Sequence, residues 1–419
     1  MGKLPSNWEF PAIQSIAETI FGQSPPSSSY NTEGDGLPFF QGKTEFGEKH
    51  PIAKKWCTEP TREAQPGDIL ISVRAPVGPT NVADRHCAIG RGLAAIRPLI
   101  EPSYVRYWLK LSEQALAAKG TGTTFSAITK SVLNSHCVPC APLNEQHRIV
   151  EKIETLFARL DKGEEALRAV QKLLGRYRQS VLKAAVTGHF NIDGNVSWED
   201  VLLGDLLEDI RYGTAKKCRP DADGVAVLRI PNVVRGEIDL NDLKFTQLEE
   251  REIENLSLRE GDLLIVRSNG SANLVGRGAV VNEEAVGLAF AGYLIRVRVN
   301  KERLLPDFLS LVLASPETRA KIERQARSTS GVHNINSGEI KAIAFDLPPI
   351  KIQANIIECV DEHMSKLDVL EAWCQTELTR SANLRQSILK DAFAGRLVPQ
   401  DPNDEPAAEL LARIKNGSK

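Results

Sequence analysis

The sequence predicts an α+β protein in which two mixed α/β modules are joined by two long antiparallel helices, with a pseudo-two-fold internal repeat. Three observations predict this class. A stretch of about 45 residues occurs twice at a constant offset, short apolar runs after Gly-Asp turns precede each copy, and an apolar heptad runs through the first copy. The length of 419 residues also suits two or more domains better than a single core.

The first module is predicted over residues 1–142, as β-structure with short helices. The run "GDILISV" from Gly67 follows a Gly-Asp turn and is typical of a buried strand. The segment "PSYVRYWLKLSEQALAAK" starts at Pro102 and has helical apolar spacing, which predicts a helix with proline in its first turn.

The first long helix is predicted over residues 143–190. Its residues match a second copy 207 positions later without interruption, as with Gln146 and Gln353 or Arg178 and Arg385. An inserted residue would rotate everything after it by about 100°, so a continuous helix explains the constant offset. Two heptad seams predict a coiled-coil partner. The first seam comprises Ile153, Leu160, Leu167, Leu174 and Val181, and the second comprises Leu156, Val170, Tyr177 and Ala184.

The second module is predicted over residues 191–348, the second long helix over 349–397 and a C-terminal tail over 398–419. Here the offset to the first half drifts: "GDLLIV" lies 194 positions after "GDILISV", and Ile295-Arg296, which we match to Ile96-Arg97, lies 199 positions later. Loops absorb insertions of this kind. The second helix is the expected partner of the first, and two separate helical bundles are the alternative.

Composition is typical of a globular chain, with 42% hydrophobic residues, 25% charged residues and a net charge of −2. No apolar run is long enough to span a bilayer, and the N-terminus lacks the apolar core of a signal peptide. Seven cysteines without framework spacing favour reduced thiols. We therefore expect a cytoplasmic location and no membrane partner. The near-neutral charge still permits a local basic groove.

Catalytic motifs are missing from the sequence. It contains no dinucleotide-binding or phosphate-binding glycine loop, no Asn-Pro-Pro-Tyr motif of adenine methyltransferases and no nuclease-like carboxylate cluster. Cys137 and Cys140 have CxxC spacing, but a zinc site needs a second pair, so buried free thiols are the preferred interpretation. We expect a chain that is not an enzyme and binds no metal or cofactor.

The order of motifs along nearly the whole chain resembles the specificity subunit of a type I restriction-modification system. The series runs "LPSNW", "GDILISVRAPVG", "GTGTTFSAITKSVL", "PLNEQHRIVEKIE" and "RQSVLKAAVTGHF", and then repeats to end in "RQSILKDAFAGRLVPQD". The resemblance implies that residues 1–142 and 191–348 are target recognition domains, each reading one half of an asymmetric bipartite site in double-stranded DNA.

The resemblance also implies partners. The two long helices would set the distance between the half-sites and carry two methyltransferase subunits, and two motor-nuclease subunits would complete the restriction enzyme. S-adenosylmethionine, ATP and Mg are then expected on those partners and not on this chain. Two half-sites about one helical turn apart agree with two modules on a rigid connection.

Candidate DNA-binding residues begin with the densest basic stretch, "RYGTAKKCR". Its cations could neutralise phosphates, although a solvated loop needs no function. The matching stretch of the first half, "FGQSPPSSSYN", is rich in hydroxyl groups that can donate hydrogen bonds. The candidates from these two stretches are Arg211, Lys216, Lys217 and Arg219, and Ser27, Ser28 and Tyr30.

Two arginines, Arg74 and Arg267, end what we match as equivalent strands and start polar loops. An arginine in this position can reach phosphate or a guanine edge, and Asn269 follows in the second loop. A surface salt bridge is the alternative. The equivalent turns "GTGTTFSAIT" and "STSGVHNIN" add Thr123, Thr124, His333 and Asn334, with a purely structural hydrogen bond as the alternative for His333.

Two other functions are compatible with the pattern. A scaffold protein could use the coiled coil to dimerise without binding DNA; it would purify as a defined oligomer. A related modification-only system would keep the DNA-binding role without a nuclease. The DNA sequence recognised cannot be deduced, because several side chains suit any one base.

Overall fold

The computed structural model describes residues 4–121, 126–190, 197–234, 236–326 and 331–417. The chain divides into two compact units, Met1–Leu167 with Thr376–Lys419 (unit 1) and Arg168–Gln375 (unit 2). Each long helix therefore belongs partly to unit 1 and partly to unit 2. The predicted α+β class, with mixed modules and two long helices, is confirmed.

Short strands and helices make up the chain before the first long helix, as the Gly-Asp and proline signals predict. They are β1 (Ala17–Phe21), β2 (Tyr30–Asn31), β3 (Leu37–Phe40), β4 (Trp56–Cys57), β5 (Glu63–Ala64), β6 (Ile69–Ser72), β7 (Thr80–Val82), β8 (Cys87–Ile89), β9 (Leu93–Pro98), α1 (Pro102–Leu111), α2 (Glu113–Ala117) and α3 (Lys130–Asn134).

The remaining chain contains both long helices and the second module. The elements are α4 (Leu143–Val186), β10 (Glu199–Leu202), β11 (Leu207–Tyr212), β12 (Val225–Leu228), β13 (Lys244–Thr246), α5 (Glu250–Leu256), β14 (Leu263–Val266), β15 (Ser268–Asn269), β16 (Gly278–Val280), β17 (Ala289–Phe290), β18 (Leu294–Val299), α6 (Pro306–Ala314), α7 (Pro316–Gln325), β19 (His333–Asn334), α8 (Ser337–Lys341), β20 (Ala344–Leu347), α9 (Ile350–Ala392) and α10 (Ala407–Gly417).

Both modules share one sheet topology. An antiparallel sheet in the order β1-β9-β6-β7 in unit 1 corresponds to β11-β18-β14-β16 in unit 2. In a second sheet of each unit, β3 pairs with β8 and β12 pairs with β17, and both pairs are parallel. The antiparallel sheet of unit 1 packs on α1 through Tyr104, and that of unit 2 packs on α6 through Phe308. Both rings are fully buried. The internal repeat is thus a repeat of fold.

The Gly-Asp turns carry a repeated ion pair. Asp68 accepts two hydrogen bonds from Arg97, at 2.9 and 2.8 Å, and Asp262 accepts two from Arg298, at 2.6 and 2.7 Å. Strand pairing places Arg97 and Arg298 at equivalent positions, so the sequence match of Ile96-Arg97 to Ile295-Arg296 was wrong by two residues. A shift of two residues keeps the same face of the strand, which is why the apolar pattern did not reveal it.

A buried glutamine explains why the two helix openings are nearly identical. Gln146 donates from Nε2 to the Ala141 carbonyl (2.7 Å) and accepts from the Glu101 amide (3.2 Å). Gln353 repeats this with the Pro348 carbonyl and the Leu305 amide, both at 2.8 Å. Glu101 and Leu305 precede α1 and α6, so each glutamine ties the start of a long helix to the start of a module helix.

The long helices pair antiparallel in each unit. In unit 1, Arg385 of α9 binds Asp161 (2.6 Å) and Glu164 (3.0 Å) of α4. In unit 2, Arg178 of α4 binds Asp368 (2.5 Å) and Glu371 (3.3 Å) of α9. The two clusters are related by the same offset of 207 residues. The repeat therefore encodes reciprocal contacts between the helices.

The heptad prediction holds for one seam and fails for part of the other. Ile153 and Val181 are buried and the intervening members of the first seam are half-buried. In the second seam, Val170 and Tyr177 are exposed. A single helix partner covers only one stripe of a helix, so the central part of the second seam stays outside the pair.

The tail after the second long helix also has structure that the sequence did not indicate. Ala407 and Leu410 of α10 are buried in the core of unit 1, and Arg148 of α4 binds Asp404 at 2.6 Å. Turns with positive φ at Gly188 and Gly395 follow the ends of the long helices, and glycine adopts this conformation without strain. None of the helices in the described ranges has the length and apolar character needed to cross a bilayer.

Candidate functional site

Three of the predicted DNA-binding residues line one cleft of unit 2. The cleft has a volume of about 780 Å³, and its walls include Lys216, Lys217 and Arg267. Two further cations that no sequence pattern indicates, Arg229 and Lys244, also line it, whereas no acidic residue does so among the described residues. The concave surface is therefore positively charged.

One end of the antiparallel sheet forms the floor of the cleft. Strands β11 and β14 end there and β18 begins there, because Tyr212 pairs with Ile295 and Val266 pairs with Leu294. Gly213 allows the chain after β11 to pass close to the end of β17, since a Cβ atom there would lie 2.3 Å from the Phe290 carbonyl oxygen. Loops from three strand ends thus converge on one place.

Arg267 is held in a defined orientation at the cleft. Its guanidinium carbon lies 4.7 Å from the centre of the Tyr212 ring, and Nη1 donates to the Gly292 carbonyl at 3.3 Å. The Tyr212 hydroxyl donates to Ser337 Oγ (3.2 Å) and accepts from the Ser337 amide (3.0 Å). These hydrogen bonds with Ser337, together with the charge of Arg267, lower the pKa of Tyr212. Arg267 is consequently anchored through Tyr212 to the start of α8.

The lysines of the basic stretch differ in how they are held. Lys216 binds Glu252 at 2.5 Å and the Gln247 carbonyl at 3.3 Å, and its hydrogen bond lowers the pKa of Glu252. Lys217 and Arg219 are exposed and make no side-chain hydrogen bond or ion pair with the described part of the chain. Lys217 at the cleft therefore presents its charge to solvent.

The other predicted residue of this stretch, Arg211, does not line the cleft. Its guanidinium donates to Asn255 Oδ1 and lies 3.5 Å from Asp209. Arg211 therefore lies in strand β11 and forms a surface ion pair, and is not part of a solvated loop.

Arg229 and Lys244 reach the cleft through the second sheet of unit 2. Arg229 follows β12 and Lys244 begins β13, and these strands pair antiparallel with Val227 opposite Lys244. Arg229 also binds Asp242 at 2.9 Å. Each cation is isolated in the sequence, so no local charge cluster could have revealed it; only the strand pairing brings them to Lys216 and Lys217.

A short ladder beside the cleft contains the remaining candidates of unit 2. Asn269 pairs with His333, and Ser268 pairs with Asn334. The Asn269 side chain accepts from the Ser271 amide at 2.9 Å, and His333 Nδ1 lies 2.9 Å from the Ala326 carbonyl oxygen. The protein thus uses part of both side chains internally, while Asn334 is exposed.

The candidates of unit 1 form no comparable basic cluster. Ser27 and Ser28 are exposed in a single turn of 3₁₀-helix. The Tyr30 hydroxyl donates to the Pro25 carbonyl at 2.8 Å, and its ring stacks on Phe39 at a centroid distance of 4.7 Å. Ser27 and Ser28 therefore present hydroxyl groups to solvent, whereas the hydroxyl of Tyr30 is engaged within the protein. Thr123 and Thr124 lie outside the described residues.

Arg74 and Arg267 are not structural equivalents. Val73 accepts a backbone hydrogen bond from Ile128, as Arg267 does from Ile335. Arg74 forms an antiparallel β-bridge with Ala127, and Ser268 pairs antiparallel with Asn334 at the equivalent place. Arg74 therefore corresponds to Ser268. Because side chains alternate along a strand, this shift of one residue puts the two arginines on opposite sides. Arg74 is exposed.

Neither cysteine of the CxxC pair forms a disulfide. Cys140 is buried, which raises the pKa of its thiol to about 12, and Cys137 is half-buried. No cluster of metal-ligand side chains occurs in the portion of the chain that is described. Cys140 is thus a buried free thiol as predicted, whereas Cys137 is less buried than predicted.

The chain is similar to known restriction-modification proteins. Residues 5–169 match the family model described as type I restriction modification DNA specificity domain. The type I restriction enzyme StySPI specificity subunit of Salmonella potsdam is 28% identical over 99% of this chain and 96% of its own length. The EcoKI specificity subunit of Escherichia coli K12 is 29% identical over the same shares.

A solved structure supports the fold. It concerns complex assembly and conformational transition of the type I R-M system, and one of its chains matches with a TM-score of 0.76 at 19% identity. The match covers 94% of this chain and 100% of that one.

Proposed function

Because the chain is similar over nearly its whole length to type I restriction enzyme specificity subunits, we propose that it recognises double-stranded DNA and assembles the complex that acts on it. It is a non-catalytic subunit of such a system. The single observation that carries DNA binding is the basic cleft of unit 2. Five cations from four separate segments of the chain line it without a lining acid among the described residues, and only Lys216 and Arg229 among them bind an acid, which favours a polyanion.

Each module reads one half of an asymmetric target in this proposal. The repeated sheet topology supports two equivalent roles, since both modules present the same edge and loops. The residues on those loops differ, with exposed Ser27 and Ser28 in unit 1 and Lys216 and Lys217 in unit 2. Different donors at equivalent places favour different bases in the two half-sites.

The long helices set the distance between the half-sites and carry the partners. We infer two methyltransferase subunits and, in the restriction enzyme, two motor-nuclease subunits, in a cytoplasmic complex. S-adenosylmethionine, ATP and Mg belong to those subunits. The repeated ion pairs of Arg178 and Arg385 support this role, because a helix pair held at two equivalent places is a stiff connection. A scaffold without DNA binding is not favoured, since the family similarity extends over the modules.

Exchange of one module tests the proposal. Residues 197–345 are replaced by the second module of a relative, the chain is co-expressed with the methyltransferase of its own system, and genomic methylation is mapped. One half of the methylated sequence should change and the other should remain. Changes in both halves would contradict independent modules, and methylation without any bipartite pattern would contradict DNA recognition by this chain.

A further inference from the structure

The cations of the unit 2 cleft are of two kinds. Arg267 is anchored on Tyr212 and on the Gly292 carbonyl, whereas Lys217 is exposed without a side-chain partner among the described residues. An anchored group can distinguish positions that differ by a fraction of an ångström, while an unanchored charge follows a phosphate wherever it lies. This difference separates a base-reading role from a backbone-binding role.

Two arginines of this cleft also have a hydrogen-bond donor that no acceptor in the described part of the chain uses. The Nε–H groups of Arg267 and Arg229 are enclosed by protein, yet neither has an acceptor in the described part of the chain. A third enclosed Nε, in Arg296, differs because Asp262 lies 4.0 Å away. Because the protein covers the Nε of Arg267, and Nη1 already donates to the Gly292 carbonyl, the N–H groups left for a ligand are those of Nη2 and the second N–H of Nη1. A ligand that brings acceptor atoms to these groups would be stabilised.

The chemistry of arginine narrows the choice of ligand. A guanidinium group is a planar fork whose two N–H groups match the O6 and N7 acceptors of guanine in the major groove. Lysine at the same place would offer one point charge without the fork. The contact with the Tyr212 ring and the hydrogen bond to the Gly292 carbonyl limit movement of the Arg267 guanidinium, which favours readout of one base in one orientation.

Unit 1 has no counterpart to this arginine. Val73 occupies the position equivalent to Arg267. Gly92 in unit 1 likewise occupies the position of the exposed Tyr293 in unit 2, since Val73 donates its backbone hydrogen bond to Gly92 as Arg267 does to Tyr293. The Arg267–Tyr212 arrangement is therefore a property of one half of the repeat. Any base preference that it creates must appear in only one half-site.

We propose that Arg267 is a specificity-determining residue that reads a guanine in the half-site bound by unit 2, and that Lys217 contacts a phosphate beside it. The inference rests on the proposed function, because it assumes that the cleft faces the target duplex. It adds a base identity and a residue role to that function.

Chemically altered guanines provide the test. The complex of this chain with its methyltransferase is titrated with duplexes in which each guanine of the second half-site is replaced, one at a time, by 7-deazaguanine, which lacks N7. Wild type should bind about tenfold more weakly at one position. Inosine there keeps O6 and N7 and should leave binding unchanged.

Substitutions on the protein complete the test. Arg267→Ala should lose sensitivity to 7-deazaguanine at that position while responding like wild type to changes in the first half-site, which also shows that it is folded. Arg267→Lys should show the same loss. Lys217→Ala should weaken binding to all duplexes equally and reduce the salt dependence by about one phosphate contact.

Two results would overturn the inference: a second half-site without guanine, or an Arg267→Ala complex as sensitive to 7-deazaguanine as wild type at every position. In either case a wild-type complex that still selects its bipartite duplex would leave the proposed function intact. Absence of sequence selection by the wild type would contradict the proposed function itself.

Discussion

At the scale of single residues, His136 shows how burial controls a titratable group in unit 1. Its imidazole is buried, lies 3.0 Å from Ser112 Oγ through Nε2 and stacks on Trp108 at a centroid distance of 6.0 Å. Burial, with a smaller effect of Lys119, lowers the pKa of His136 to about 4. The folded state therefore requires the neutral ring.

The stability of unit 1 should depend on pH through this histidine. The unfolded chain protonates His136 near pH 6.5 and the folded chain only near pH 4, so stability is present above 6.5 and is lost as the pH falls toward 4. The loss attributable to His136 is up to about 3 kcal/mol. Urea unfolding of wild type and His136→Gln between pH 4 and pH 7 measures it. The variant should show a shallower pH dependence, and equal slopes would contradict this assignment.

At the scale of elements, the helix pair contains an internal control. Glu164 and Glu371 are equivalent acids that bind equivalent arginines, Arg385 at 3.0 Å and Arg178 at 3.3 Å. The pair in unit 1 is less exposed, at 19% and 21%, than the pair in unit 2, at 29% and 40%. Arg385 also lies over the Phe157 ring at 5.1 Å. The same Arg–Glu ion pair thus occurs in two environments that differ in solvent exposure.

Double-mutant cycles with alanine at each pair should give different coupling energies. We expect about 1–2 kcal/mol for Arg385 with Glu164, because solvent screens this pair less, and below about 1 kcal/mol for Arg178 with Glu371. Urea unfolding of the single and double variants provides the four free energies of each cycle. Equal couplings would mean that burial does not distinguish the two halves of the helix pair.

At the scale of the whole molecule, the length of the long helices is the feature with a functional consequence. Both helices change units within their length, after Leu167 in α4 and after Gln375 in α9. From sequence, an insertion to lengthen the connection would be placed after Ala185, where the first helix is expected to meet the second module. Ala185 is fully buried in the core of unit 2, so the unit boundary is the correct place.

Four residues inserted into each helix at this boundary should lengthen the DNA spacer that the complex recognises. They add about 6 Å to each helix and a rotation of about 40°. At about 3.4 Å per base pair, the spacer should grow by one or two base pairs, with both half-sites unchanged. Methylation mapping reads out the spacer directly.

A two-residue insertion serves as the control for this experiment. It would rotate one module by about 200° and should abolish methylation instead of altering the spacer. An unchanged spacer in the four-residue variant would show that the distance between half-sites is set outside the helix pair.

Several features could be predicted from the sequence because they depend on local periodicity. The constant offset of 207 residues and the heptad identify two long helices, and the Gly-Asp turns identify the strands that follow them. The repeat also implies that the ion pair of Arg178 in α4 with α9 has an equivalent in the ion pair of Arg385 in α9 with α4. Register is less accessible: the matches of Arg74 and of Ile96-Arg97 were wrong by one and two residues, since strand alternation tolerates such shifts.

The sequence by itself determined the two helices, the repeated modules and the basic stretch at Lys216 and Lys217, because each is written in neighbouring residues. Only the tertiary structure decided which cations share a cleft. Arg229, Lys244 and Arg267 come from separate strands, and sheet pairing brings them together. It also decided that Arg211 pairs with Asp209 outside the cleft. A binding surface is made of side chains that are distant in the chain, and their proximity follows from packing, which local patterns do not encode.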